Sequence, residues 1–248
     1  MLASSDPAPC EAELRQELVR VARAMNAAAI NQGTSGNLSV RCGDGLLITP
    51  SSLPYERMGA DDIVRLGFDG HWQGSRRPSS EWRLHADLLA HRPEAQAVVH
   101  CHSVHATALA CHGLAIPGFH YMVVVAGGSS IRCAPYATFG TQELSDLALL
   151  ALEDRQACLL AQHGQVALGS SPEGALRLAI EVETLARMYL QARLLGEPSR
   201  LSEVELARVA ERMRAIHYGR DPEERAHQAA TASGRVSRDS LEVGHTPQ

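Results

Sequence analysis

The chain has 248 residues, of which 45% are hydrophobic and 21% charged, and its net charge is −5 with the histidines neutral. That length supports one large core, in the composition of an ordinary soluble protein. The basic residues are dispersed, which excludes a nucleic-acid-binding face, and no apolar run approaches the roughly 18 residues that cross a bilayer.

Residues 1–10 read as a flexible tail with no basic stretch followed by an apolar one, so no export signal is read. The six cysteines (Cys10, Cys42, Cys101, Cys111, Cys133 and Cys158) form no Cys-x-x-Cys pair, and reduced thiols in the cytoplasm are expected. From Glu11 to Ile30, Leu14, Leu18, Val21, Ala22 and Met25 recur at helical spacing, and Asn31-Gln32-Gly33 stops the helix. The polar turn Thr34-Ser35-Gly36-Asn37 leads into a strand over 38–41. A hairpin turn at Cys42-Gly43-Asp44-Gly45 and a return strand over 46–49 follow. Pro50-Ser51-Ser52-Leu53-Pro54 breaks that pattern. Segments 63–66 and 71–72 predict a second strand pair, and Glu81 to His91 a helix with a serine at its N-cap.

An apolar run ending at Val99 then forms a strand that carries His100-Cys101-His102, and a helix follows over Ser103 to Cys111. Tyr121 to Ala126 reads as β-structure, Ile131 to Ala134 as a short strand and Glu143 to Glu153 as a helix. Buried strands over 157–160 and 165–168 precede a long helix from Ser171-Pro172-Glu173 to about Leu195, and a final helix covers 202–216. Past Tyr218 the sequence turns polar and aperiodic, so 219–248 reads as a mobile tail. The organisation is one mixed α/β domain over residues 11–218.

The chemistry concentrates at Val99-His100-Cys101-His102. Alternation along a strand points His100 and His102 to one face and Cys101 to the other, giving two imidazoles ready to ligate a zinc-like cation. His163, between a buried strand and Gly164, is a candidate third ligand; His85, His91, His105, His112 and His120 compete with it. Glu81, after Ser79-Ser80 at a helix start, is the carboxylate candidate, and the same two hydroxyls suit an anion. Together with Thr34-Ser35-Gly36-Asn37 and Ser51-Ser52 they make three short polar segments able to hold a phosphate through backbone N–H groups and hydroxyls. No Gly-x-x-x-x-Gly-Lys or Gly-x-Gly-x-x-Gly motif supports a nucleotide loop.

Six segments, in this order and spacing, carry a family likeness: Asn31-Gln32-Gly33-Thr34-Ser35-Gly36-Asn37, Ile48-Thr49-Pro50-Ser51, Pro78-Ser79-Ser80-Glu81-Trp82-Arg83, His100-Cys101-His102, His120-Tyr121-Met122 and Ala134-Pro135-Tyr136-Ala137-Thr138-Phe139-Gly140. Over about residues 11–195 the chain resembles the class II aldolase/adducin family. The resemblance implies a single α/β domain whose central, mostly antiparallel sheet is flanked by helices. It implies one Zn2+ per chain (with Co2+ or Mn2+ as alternatives) held by His100, His102, His163 and Glu81, and a proton-transferring role for Glu81. Tyr121 matches a tyrosine that protonates the aldehyde oxygen, reaching in from a neighbouring subunit. Thr34, Asn37, Ser51, Ser52, Ser79 and Ser80 match a phosphate pocket, although Ser52 stands where a close relative within the family has glycine.

The activity so implied is reversible cleavage of a ketose 1-phosphate, such as L-fuculose 1-phosphate, into dihydroxyacetone phosphate and an aldehyde such as lactaldehyde. Alternatives on the same scaffold are a 5-deoxy- or 5-(methylthio)-ribulose-1-phosphate aldolase, a pentulose-phosphate 4-epimerase and a sugar-acid phosphate decarboxylase. The resemblance also implies a homotetramer with active sites at subunit interfaces, a small phosphorylated sugar as partner, and neither nucleic acid nor membrane.

Overall fold

Strand pairing between distant parts of the chain organises this computed structural model, which describes residues 10–218. The expected tails over 1–10 and 219–248 lie outside the described residues, apart from Cys10. The helix expected from Glu11 is α1 (Glu11–Ala27), with Leu14, Leu18, Val21, Ala22 and Met25 on its buried face. It stops short of Ile30 because Ala29 turns to a positive φ of 56°, which swings Ile30 into the core at 2% exposure.

Eight strands follow: β1 (Asn37–Cys42), β2 (Gly45–Ile48), β3 (Val64–Gly67), β4 (Trp72–Gln73), β5 (Ala97–Cys101), β6 (Arg132–Ala134), β7 (Ala157–Leu160) and β8 (Gly164–Gly169). They form one sheet in the order β4-β3-β2-β1-β5-β8-β7-β6, antiparallel throughout except for the β6–β7 pair. The helices interleaved with them are α2 (Trp82–His91), α3 (Val104–Cys111), α4 (Gln142–Ala151), α5 (Pro172–Leu194) and α6 (Glu203–Ala215). The fold is therefore the expected α/β domain with a mostly antiparallel sheet and flanking helices. No helix among the described residues is long and apolar enough to cross a membrane.

Side-chain alternation divides the sheet into two faces. Leu46, Ile48, Val98, Val166 and Leu168 pack with Leu84, Leu88 and Leu89 of α2 and Leu144 and Ala148 of α4. Helices α1, α3 and α5 pack on one another and on strands of the same sheet. Opposed residues share a face, so the pairing of Asn37 with His100 and of Ser39 with Val98 places Asn37, Ser39 and His100 on the α2 side. Among the described residues, those up to Ala207 form one compact unit that carries the whole sheet.

Two local expectations are corrected. Tyr121–Ala126 forms a 3₁₀ helix rather than a strand. His120 caps it by accepting the Met122 N–H, and Gly127 ends it at a φ of 97°; the short helix buries Met122, Val123, Val124 and Ala126 together, which an alternating strand would not. At α2, Glu81 is itself the N-cap residue, one position ahead of the helix, and its side chain caps no backbone N–H. The Ser79 hydroxyl instead accepts the Glu81 N–H at 3.2 Å.

Close approach of β2 and β3 depends on the bare Cα of Gly45. A Cβ there would lie 2.4 Å from the Leu66 carbonyl oxygen, a backbone atom that cannot yield without parting the strands. Gly45→Ala is expected to destabilise the domain by about 1–3 kcal/mol, read as a lower urea midpoint at unchanged slope.

Candidate metal centre and adjoining cavity

The C-terminal end of β5, the turn between β7 and β8, and the residue preceding α2 converge. His100 lies within β5 and His102 just past its end, so the two rings keep the same facing. The Nδ1 of His100 donates to the Gln165 carbonyl of β8 at 2.9 Å, which leaves its Nε2 lone pair free for the site. That Nε2 is 3.2 Å from His102 Nε2 and 3.1 Å from Glu81 Oε2, while His163 Nε2 is 3.2 Å from Glu81 Oε1. The three rings meet edge-on, with centroids 4.7 to 5.1 Å apart. One donor atom from each of Glu81, His100, His102 and His163 lies within 4.8 Å of the other three.

Gly164 makes this convergence sterically accessible. A Cβ there would meet the Cys101 carbonyl oxygen at 2.5 Å and the His102 ring at 2.9 Å. Gln162 in the same turn holds a positive φ of 56°, and the backbone reversal presents His163 toward the β5 histidines.

Electrostatics fit a cation. Burial lowers His102 and His163, and the nearby charge of His100 adds to it, taking both down to about 4. They are neutral at pH 7, with lone pairs available. Burial pulls His100 down as well, but the Glu81 carboxylate, its hydrogen bond and the Gln165 carbonyl outweigh that and raise it. Burial would push Glu81 up; His100, His163 and the Asn37 donor overcome it and hold the carboxyl below its usual range. Glu81 Oε1 is buried without a hydrogen bond, although His163 is close, and an unpaired carboxylate oxygen among imidazoles is what a ligated cation satisfies. Three imidazole nitrogens and one carboxylate suit a tetrahedral zinc-like ion.

A cavity of about 360 Å³ opens beside these donors. All six residues expected to form a phosphate pocket line it: Thr34, Asn37, Ser51, Ser52, Ser79 and Ser80. No arginine or lysine does, so those six residues offer hydroxyls, one amide and backbone to an anion. Tyr136, Phe139 and Gln162 also line it; none of the three carried a role in the sequence reading, although the first two sit in the Ala134–Gly140 motif. Tyr121 is absent from this wall and stands 47% exposed on its 3₁₀ helix.

The competing histidines are engaged elsewhere. His85 is fully buried between Asn37 and Ser39, His105 pairs with Glu183 at 2.6 Å, His91 contacts the Asp87 carbonyl, and His120 caps the 3₁₀ helix. His112 is exposed. Cys101 is buried and stands outside the donor cluster, and burial pushes its thiol up to about 12.

A mostly antiparallel α/β sheet with such a donor set at its strand ends, opening on a polar cavity, is the frame of a metal-dependent enzyme. The chain belongs to the class II aldolase and adducin family: the family model described as Class II Aldolase and Adducin N-terminal domain matches residues 16–190. It is 52% identical over 206 residues to the 5-methylthioribulose-1-phosphate/5-deoxyribulose-1-phosphate aldolase of Rhodospirillum rubrum, covering 83% of this chain and 92% of that one. It is 46% identical over 208 residues to the L-fuculose phosphate aldolase of Escherichia coli K12, covering 84% and 96%. A solved structure titled L-fuculose 1-phosphate aldolase superposes with a TM-score of 0.79 at 37% identity, over 86% of this chain and 98% of that one. The chain is thus an enzyme, a carbon–carbon lyase of the class II aldolase kind.

Adding a methyl group at Gly164 displaces His102 or opens the β5–β8 turn. Gly164→Ala is expected to weaken divalent-metal binding by about 10-fold or more, measured by competition with a chromophoric chelator.

Proposed function

We propose that this chain is a zinc-dependent aldolase that reversibly cleaves a ketose 1-phosphate into dihydroxyacetone phosphate and a short aldehyde. The observation that carries this reading is the convergence of His100, His102, His163 and Glu81 beside a cavity walled by Ser51, Ser52, Ser79, Ser80, Thr34 and Asn37. The first four would hold the metal. When bound, a divalent cation supplies Lewis-acid stabilisation of the negative charge that develops on the substrate's carbonyl and hydroxyl oxygens.

A second observation supports the metal. All 23 basic residues of the chain are arginines, so these 248 residues contain no lysine side chain able to form a Schiff base with the ketone. Charge relief at the carbonyl must then come from another electrophile.

The chain's residues divide the remaining work. The hydroxyl-lined segments hold the phosphate and fix the orientation of the three-carbon fragment. In the direction of synthesis, Glu81 takes the proton from C3 of dihydroxyacetone phosphate. That carbon attacks the aldehyde carbonyl, and the new oxyanion receives a proton from the Tyr121 phenol. Cleavage is the reverse. Following the family likeness, we assign Tyr121 to a neighbouring subunit's site within a homotetramer; its half-exposed place outside its own chain's cavity supports that reading. We read the catalytic domain as residues 11–218, and six free cysteines agree with a cytoplasmic setting.

For the aldehyde half, relatives named for L-fuculose phosphate and for 5-methylthioribulose or 5-deoxyribulose 1-phosphate both exceed 40% identity. Their aldehyde fragments end in a methyl or methylthio group, and Tyr136 and Phe139 offer an apolar edge to such an end. The 52% relative favours the methylthio- or deoxyribulose substrate as a second reading to be tested beside L-fuculose 1-phosphate.

Freshly purified protein is expected to contain one zinc per chain and to release dihydroxyacetone phosphate from one or more of these three ketoses. His102→Ala is expected to lose both metal and cleavage, by elemental analysis and a coupled assay on the same samples. A bound metal with no dihydroxyacetone phosphate released from any ketose would instead favour an epimerase or decarboxylase. Glu81→Gln, which removes the proton carrier, is expected to lower kcat by about 10²–10⁴-fold in zinc-loaded enzyme, with a smaller change in KM.

A further inference from the structure

A buried histidine outside the metal cluster is tied to the proton carrier through one intervening amide. Asn37 Nδ2 donates to Glu81 Oε2 at 3.0 Å. His85 Nε2 lies 2.5 Å from Asn37 Oδ1, and His85 Nδ1 lies 2.7 Å from the Ser39 hydroxyl. Asn37, Ser39, His85 and Glu81 are all buried, at 4% exposure or less.

The proton positions along this chain follow from its Glu81 end. An ionised carboxylate only accepts, so Asn37 must turn its Nδ2 toward Glu81 and its Oδ1 toward His85. His85 must then carry its proton on Nε2 and accept the Ser39 hydroxyl at Nδ1. Every group has one assignment, and reversing any of them sets oxygen against oxygen or proton against proton. Two periodicities bring the members together. Asn37 and Ser39 are two apart on β1, and Glu81 and His85 are four apart at the start of α2.

We propose that His85, with Ser39 behind it, is a positioning residue that fixes the Asn37 amide and through it holds Glu81 at the metal site. Removing the His85 donor leaves Asn37 Oδ1 buried without a donor, so the amide is fixed from the Glu81 side alone and its hold on the carboxylate loosens. Glu81 is then aimed at the histidines less firmly. The hydrogen bonds of His85 go to Asn37 and Ser39, and none of them reaches a metal-ligand candidate directly. Its role in turnover rests on the aldolase reading, whereas its role in metal binding does not.

Three variants, His85→Leu, His85→Gln and Ser39→Ala, test this in the full-length zinc-loaded enzyme. Zinc and cobalt affinity by chelator competition, kcat, KM and the thermal midpoint would be read together. His85→Leu is expected to weaken metal binding by about 10-fold or more and to lower kcat more than it changes KM. His85→Gln restores a donor at the Nε2 position and is expected to recover most of both. Ser39→Ala, which leaves His85 free to change tautomer, is expected to fall between them. If His85→Leu does not fold, the other two variants decide.

The proposal is overturned if metal affinity and kcat per folded, loaded chain are unchanged and only the thermal midpoint falls. It is also overturned if glutamine proves no better than leucine. If the wild-type protein cleaves no ketose 1-phosphate, the aldolase reading fails and the metal-affinity series alone judges His85.

Discussion

A buried carboxylate that lacks enough hydrogen bonds is the constraint around which this fold is arranged. Glu81 is 4% exposed, and one of its oxygens has no hydrogen-bond partner. Removing such a charge from water costs several kcal/mol unless an opposite charge compensates. Among the described residues, His100, whose hold on a proton Glu81 strengthens, and the neutral ring of His163 each lie just over 3 Å from it. The imidazoles meet that demand partly, and a bound divalent cation would meet it fully. The stability of this corner of the domain and its capacity for metal therefore come from the same four side chains.

Those side chains are brought together by the sheet, with His100 inside a strand and His102, His163 and Glu81 at element ends that strand pairing places side by side. His100 is pinned through Nδ1 to the backbone of β8, and β8 can come that near because Gly164 carries no side chain. On the other flank the β1–β5 register brings Asn37 opposite His100. The loop ahead of β1 is anchored by the Tyr55 hydroxyl, which donates to the Gly36 carbonyl at 2.5 Å. Gly36 in turn has no room for a Cβ, which would fall 2.5 Å from Asn31 Oδ1 and 2.8 Å from the His100 carbonyl oxygen. The glycines of Thr34-Ser35-Gly36-Asn37 and His163-Gly164 thus serve close packing around the site.

What could be read from the sequence was what short-range periodicity encodes. Alternation put His100 and His102 on one face before any strand was seen, and the hairpin at Cys42–Gly45 and the long helix from Pro172 follow from turn and capping chemistry. Glu81 was visible as an acid at a helix start, but its turn away from the helix toward the histidines depends on contacts 19 and 82 residues distant, and helix-dipole reasoning alone would have kept it at home. The choice of His163 over five rivals was undecidable by spacing and came from family likeness. His85 shows why: as a lone histidine on a helix it looked like any other, and only the pairing of β1 across the sheet supplies its partners. The run at 121–126 misled because β-branched residues favour strands by packing against neighbours, and here those neighbours surround a short helix.

The way the centre is assembled also bears on how the chain folds. The contacts that set it up join residues 44 apart, from Asn37 to Glu81, and 65 apart, from His100 to Gln165. Non-local pairings of this kind close late, since loop entropy must be overcome before they are rewarded. The four candidate donors come from three separate segments, at Glu81, at His100 and His102, and at His163, so a metal bound there would have little to template and would not serve as the folding nucleus it is in a zinc finger. Its contribution would come after the sheet has closed, by mass action on the native state. Slower unfolding of the finished domain, with folding left at its own pace, is the kinetic signature such an arrangement carries.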